Sequence, residues 1–207
     1  MRMRKKKWVT PFLDSEAHYL LREPLKENDV INYNKIYLEV GMGMGDFITE
    51  SASLHPDYLY IGFEKDETCV ARAIKKAIEM ELSNLLIIKE DASNLSSWFE
   101  VKVDGIYLQF SDPWPKKGHA KRRLTSSSFL NEYDKVLKDG AQIIFKTDNE
   151  GLFEYSLVSF DNSNFRLEEV SLDRHKTIND DILTGYERRF MGEGKRIFYA
   201  RYKKGNA

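Results

Sequence analysis

The chain has a single cysteine, Cys69, which rules out an internal disulfide and any cysteine-rich zinc site. Its four histidines, His18, His55, His119 and His175, are scattered without metal-ligand spacing, so no metal is expected. Glycine (12) and proline (5) are sparse in 207 residues, which excludes collagen-like and low-complexity sequence. No apolar run approaches the ~20 residues needed to cross a bilayer. The basic start, Arg2, Arg4, Lys5, Lys6 and Lys7, leads into Trp8, Val9, Thr10 and Pro11 rather than the apolar core of a signal peptide. The expectation is a cytoplasmic chain with no membrane partner.

What is present fits one globular domain with a short appendage: 42% hydrophobic residues, 31% charged. The expected division is a basic arm plus a helix over residues 1–33, then one domain over 34–207. Formal net charge is −1, which at first argues against a polyanionic partner. The distribution argues otherwise. Residues 1–8 carry five basic side chains and no acidic one, residues 116–123 another five and none, and residues 188–204 seven against Glu193. Together the three stretches hold +16, leaving −17 on the remainder. A chain polarised in this way can hold nucleic acid on one surface while staying near neutral overall.

Short apolar runs at 35–40, 58–63, 84–88, 105–110 and 141–145 read as strands buried on both faces. Helical patterns lie between them. Over 66–82, Cys69, Val70, Ala73, Ile74, Ala77, Ile78 and Leu82 form one stripe. A second pattern places Phe129, Leu130, Tyr133, Val136 and Leu137 on one face and stops at Asp139-Gly140; a third carries Leu152, Phe153, Ser156, Leu157 and Phe160. This alternation predicts a parallel sheet with helices on both faces. Residues 165–172 and 196–203 read as two further strands pairing antiparallel, with a short helix from Tyr186 to Met191 before the second.

In such a sheet the ligand lies beyond the carboxyl ends of the strands, so the loops there carry the chemistry. The first loop is Glu39-Val40-Gly41-Met42-Gly43-Met44-Gly45-Asp46, where three glycines permit a sharp turn and close approach to a ligand. A dinucleotide fold wants its third glycine at the position of Asp46, and a carboxylate there repels a pyrophosphate. S-adenosyl-L-methionine, with a sulfonium and an amino group and no phosphate, suits these acids. Glu64, 25 residues after Glu39, is placed to accept from ribose hydroxyls, and Asp91 to accept from an adenine amino group. Any of these acids also suits capping of the helix that follows it. The fourth loop, Ser111-Asp112-Pro113-Trp114-Pro115-Lys116, is stiffened by two prolines and offers Trp114 as a flat face for a base. Asp112 is placed at the reactive end. The fifth loop again presents an acid, Asp148. Cys69 sits mid-helix on an apolar stripe and reads as core rather than as a nucleophile, and Trp8 and Trp98 read as packing.

At the level of motifs, Phe110 to Lys117 with Lys121-Arg122-Arg123-Leu124-Thr125, Phe145-Lys146-Thr147-Asp148-Asn149, Gly151-Leu152-Phe153-Glu154-Tyr155-Ser156 and Leu183-Thr184-Gly185-Tyr186-Glu187 resemble the bacterial tRNA (guanine-N7)-methyltransferase family. The likeness runs from Met1-Arg2-Met3-Arg4 to the last strand. It implies an α/β, Rossmann-like class I methyltransferase with a seven-stranded, mostly parallel sheet and an antiparallel last strand, acting on the variable-loop guanosine at tRNA position 46. It implies S-adenosyl-L-methionine contacts at Glu39, Glu64, Asp91 and Asp112 beside the glycine turn of Gly41, Gly43 and Gly45, with Asp112 catalytic. It implies tRNA contacts at Lys116, Asp148, Thr184, Tyr186 and Glu187, with Lys121, Arg122 and Arg123 in the RNA-binding stretch; His119 is expected at a phosphate. Two departures are visible: Gly185 stands where the family usually has Glu, and Gln109 where it usually has Asn. The expected state is a monomer or a homodimer. Competing readings are a NAD-dependent dehydrogenase, which explains none of the basic clusters, an adenine-amino RNA methyltransferase with a similar Asp-Pro loop, and a non-catalytic RNA-binding protein on the same fold.

Overall fold

The computed structural model describes residues 6–174 and 185–205, without the side chains of 185 and 186. Strands β1 (Lys35–Val40), β2 (Tyr58–Phe63), β3 (Leu85–Ile88), β4 (Val103–Gln109), β5 (Leu137–Thr147), β6 (Phe165–Ser171) and β7 (Phe198–Lys204) form one sheet in the order β3-β2-β1-β4-β5-β7-β6. The first five are parallel. β7 enters antiparallel between β5 and β6. The central strands are mostly apolar because both faces are covered, as parallel strands require, with Lys35 and Glu39 the exceptions in β1.

Seven α-helices surround the sheet among the described residues: α1 (Val9–Ser15), α2 (Glu27–Val30), α3 (Asp46–Leu54), α4 (Glu67–Glu79), α5 (Ser127–Val136), α6 (Glu150–Asp161) and α7 (Gly185–Gly192). No helix among the described residues is long and apolar enough to cross a membrane. Two apolar clusters flank the sheet. One joins Leu38, Leu108 and Phe145 to α5 and α6 through Leu130, Tyr133, Phe153 and Phe160. The other joins Ile61's neighbour Tyr60 and Ile87 to α1, α3 and α4 through Val9, Leu13, Ile48, Val70 and Ile74.

Two local expectations need correction. The α4 stripe is rotated by about one position: Ile78 is 40% exposed and Cys69 only half-buried, while Thr68 and Ala71 are buried. The reason is that α4 is covered from two sides, by the sheet and by α1 and α3, and a Cβ on Gly45 at the start of α3 would lie 2.6 Å from the Ala73 Cβ. The helix expected to stop at Asp139-Gly140 stops earlier. α5 ends at Val136, and Leu137 turns directly into the extended conformation of β5. Gly140, with φ +74°, is an irregularity inside that strand rather than a helix terminus. The segment before β1 packs on the sheet from Val9 onward: Val9 and Leu25 are fully buried, and Leu20 and Leu25 make parallel bridges to Ile87 and Phe99.

Candidate active site

Sheet order reverses at β1, which has β2 on one side and β4 on the other, so a crevice opens above their carboxyl ends. The turn after β1 descends into α3. Gly41, Gly43 and Gly45 all have φ between +55° and +75°, a region that costs a side-chain-bearing residue energy. Gly45 is the N-cap of α3 and has no side chain to cap with. Glu39 supplies the missing acceptor from inside β1, taking a hydrogen bond from the Ile48 amide in the first turn of α3. Its other oxygen, Oε2, is buried without a hydrogen-bond partner. Burial raises the Glu39 carboxyl well above the usual carboxylate range, and the nearby charges of Asp46 and Glu64 add to this.

Glu64 follows β2 and knits the turn together. The Gly43 amide donates to its Oε2 at 3.1 Å and the Asp66 amide to its Oε1 at 2.9 Å. Each oxygen retains a second lone pair for a further donor. Asp91, beyond β3, accepts from the Ser93 amide at 3.0 Å and from Lys65 Nζ at 3.1 Å; burial tends to raise its pKa, but these donors bring it below the usual value. Asp91 thus caps the 3₁₀ segment Ala92–Trp98 while remaining exposed on the rim. Asp46 is turned aside, ion-paired with Lys76 of α4, so it contributes less negative charge to the crevice than the sequence implies. Cys69 is no nucleophile here: burial, with Glu64 nearby, pushes its thiol up to about 11.

The loop after β4 has two non-glycine residues in the left-handed region, Phe110 with φ +50° and Trp114 with φ +41°. Such conformations cost about 1–3 kcal/mol each and persist where surrounding contacts impose them. Asp112 lies exposed between them. Behind it, Arg123 Nε donates to the Pro113 carbonyl at 3.1 Å and Nη2 to the Trp114 carbonyl at 3.1 Å. The guanidinium lies 4.3 Å from the centre of the Tyr155 ring. Arg123, expected in the RNA-binding stretch, is half-buried, and its Nε and Nη2 face the loop. Arg122 lies over the Trp114 ring at 5.0 Å, and His119 meets the same ring edge-on rather than standing clear for a phosphate. Lys116, Lys117 and Lys121 are exposed and form no ion pair with any described residue.

Asp148 is exposed just beyond β5, and Asn149 caps α6 by accepting from the Leu152 amide. Beneath them lies a feature that the sequence did not disclose. Lys146 is almost fully buried and its Nζ is 3.0 Å from Oε1 of Glu187, which is fully buried. Glu187, expected at the RNA, ties α7 to β5 through this pair. Thr184 lies outside the described residues, as does the Tyr186 side chain. Gln109 and Ser111, at the exit of β4, were given no role in the sequence; the side-chain nitrogen and oxygen of Gln109 and the hydroxyl of Ser111 are buried without a hydrogen-bond partner. The available signal was a polar residue ending an otherwise apolar strand.

The structure thus brings Glu39, the glycine turn, Glu64, Asp91, Asp112 and Asp148 to one edge of the sheet. The residues fit S-adenosyl-L-methionine on two observations. Glu39 presents a buried, unsatisfied carboxylate oxygen, which suits a cationic group and not a phosphate. A Cβ added to Gly43 would meet nothing within 4 Å, which leaves the turn open to a ligand. Among the described residues no group of His, Cys, Asp and Glu is arranged to hold a metal ion.

Residues 33–200 match a family model described as a putative methyltransferase. The tRNA (guanine-N(7)-)-methyltransferase of Bacillus subtilis (strain 168) is 44% identical over 207 residues, covering 97% of each chain. That of Lacticaseibacillus casei (strain BL23) is 41% identical over 206 residues and 96% of each chain. Among solved structures, the 16S rRNA methyltransferase KamB superposes with a TM-score of 0.66 at 14% identity, covering 89% of this chain and 96% of its own. A 16S rRNA (adenine(1408)-N(1))-methyltransferase from Catenulisporales acidiphilia, solved with its cosubstrate SAM, gives 0.62 at 17% identity, over 85% of this chain and 88% of its own. These distant structures share the fold; the near relatives align over nearly the whole chain, and this chain belongs to the bacterial tRNA (guanine-N7)-methyltransferase family.

Proposed function

We propose that this protein methylates N7 of the variable-loop guanosine at position 46 of tRNA, with S-adenosyl-L-methionine as donor. The observation that carries the reading is the near-full-length identity to tRNA (guanine-N(7)-)-methyltransferases. The geometry supports it with an acid-lined crevice immediately beside the exposed cations of 116–122.

When bound, S-adenosyl-L-methionine supplies a methyl carbon made electrophilic by a sulfonium, and Glu39, Glu64 and Asp91 are the residues that would hold it. Guanine N7 carries an exposed lone pair, so no side chain has to remove a proton first. Alignment is the chief task, and orientation of the reacting groups is worth roughly 7–11 kcal/mol of barrier. As the purine gains positive charge, the Asp112 carboxylate stabilises it. Asp148 positions the base from the opposite side, and Lys116, Lys121 and Arg122 neutralise tRNA phosphates. Glu64 would accept hydrogen bonds from ribose hydroxyls through the lone pairs left by the Gly43 and Asp66 amides. Thr184, Tyr186 and Glu187 complete the tRNA side, with Glu187 acting through its buried pair with Lys146.

The experiment is incubation with labelled donor and a tRNA transcript, followed by borohydride reduction and aniline cleavage. Strand scission at guanosine 46, abolished in a transcript with adenosine at 46, is the expected result. Label on an adenine amino group instead would replace this reading.

A further inference from the structure

The stretch from Lys116 to Arg123 reads in sequence as one basic cluster, yet its last member faces the other way. Arg123 turns two of its nitrogens, Nε and Nη2, to two carbonyls of the Asp112 loop, those of Pro113 and Trp114. That loop needs an external tie. Pro113 and Pro115 have no amide hydrogen to close a turn, and Phe110 and Trp114 both hold left-handed backbone angles that an unrestrained chain would leave. The guanidinium is held in turn by the Tyr155 ring of α6, the helix that begins two residues after Asp148. The following residue, Leu124, lies against the glycine turn: a Cβ on Gly41 would stand 2.9 Å from its Cδ1. The segment is bolted down beyond this point, because Tyr133 donates to the Leu124 carbonyl and Thr125 shares a hydrogen bond with Ser156.

We propose that Arg123 is a positioning residue for methyl transfer and not a tRNA phosphate ligand: by joining the Asp112 loop to α6, it sets the separation of Asp112 and Asp148 across the crevice. This rests on the roles given to those two acids above. Lysine cannot replace it, since a single ammonium has neither the planar fork that reaches two carbonyls nor the flat face that rests on Tyr155.

Arg123→Lys preserves the charge and removes the fork. Single-turnover methyl transfer at saturating tRNA is expected to fall ~10- to 100-fold, the scale of a small misplacement of reacting groups. The tRNA dissociation constant and its salt slope should stay within about twofold of wild type, whereas Lys121→Ala should reduce the slope by roughly 0.7–0.9. Arg123→Ala should regain part of its rate from millimolar guanidinium chloride. A readout independent of activity is the emission of Trp114 in a Trp8→Phe, Trp98→Phe background. Arg123→Lys is expected to shift it to the red and to raise acrylamide quenching without RNA. If Arg123 variants do not fold, Tyr155→Leu removes the supporting ring alone and should move Trp114 quenching in the same direction. The proposal is overturned if Arg123→Lys weakens tRNA binding and lowers its salt slope while the saturated rate and Trp114 quenching stay at wild-type values. If wild-type protein transfers no methyl group to tRNA yet Trp114 still loosens in the variant, the functional reading fails and the loop tie stands.

Discussion

Glu39 shows how one residue serves both the fold and the site. It stands in for the cap that Gly45 cannot provide, and it keeps one carboxylate oxygen unsatisfied at the floor of the crevice. Because burial raises its pKa above the ordinary 4.5, the neutral carboxyl stabilises the ligand-free protein fully at acid pH. That contribution is lost as pH rises through the raised value. Glu39→Gln is therefore expected to raise the melting temperature of the ligand-free protein at pH 8, by about 2–4 °C per kcal/mol of penalty relieved, with little change near pH 4. The same substitution should weaken S-adenosyl-L-methionine binding in calorimetry, so a rise in both stability and affinity would contradict this view. Asp112 belongs to the transition state instead. Asp112→Asn is expected to lower the single-turnover rate by ~10²-fold or more while donor affinity changes little. A nearly intact rate would remove Asp112 from catalysis.

At the scale of elements, the strand register places each acid. Glu39 is level with Gly62 and Tyr107, and Gln109 with Lys146, so five loops open at one height above the sheet. Most of this was legible in sequence, because apolar runs of strand length separated by amphipathic helices specify a parallel sheet with helices on both faces, and the ligand edge follows. What was illegible depended on contacts between distant parts of the chain. The face of α4 is chosen by α1 and α3 together, the end of α5 by a strand that starts without a loop, and the orientation of Arg123 by two carbonyls ten and nine residues earlier. The Lys146–Glu187 pair is of the same kind, uniting residues 41 positions apart. Removing one partner of a buried pair leaves the other charged and desolvated, at a cost of about 3–5 kcal/mol. Glu187→Ala should show that loss in denaturant unfolding, and Lys146→Met with Glu187→Leu should recover most of it. Equal destabilisation in the single and double variants would contradict a direct pair.

Across the whole molecule, charge is less polarised than the sequence implies. The basic stretch over 188–204 is largely answered by acids: Arg188 pairs with Glu50, Arg201 with Glu168 and Glu169, and Lys204 with Asp134 and Asp139. Antiparallel pairing of β7 with β6 sets Arg201 opposite Glu169, a consequence of register that composition cannot reveal. Among the described residues, the loop beside the crevice bears Lys116, Lys117 and Lys121, exposed and in no ion pair. Lys116→Ala and Lys121→Ala should each reduce the log–log salt slope of tRNA binding by roughly 0.7–0.9, whereas Lys203→Ala, on a strand already neutralised by Glu168, should leave it unchanged. An unchanged slope in the loop variants would move the RNA to another surface.

If the acid-lined crevice presents a methyl donor to purine N7, a single atom decides transfer. A tRNA carrying 7-deazaguanosine at position 46 keeps every hydrogen-bonding edge of guanine except N7. The prediction is normal tRNA affinity with no methyl transfer from labelled S-adenosyl-L-methionine; transfer at the rate of unmodified tRNA would show that another atom is the acceptor.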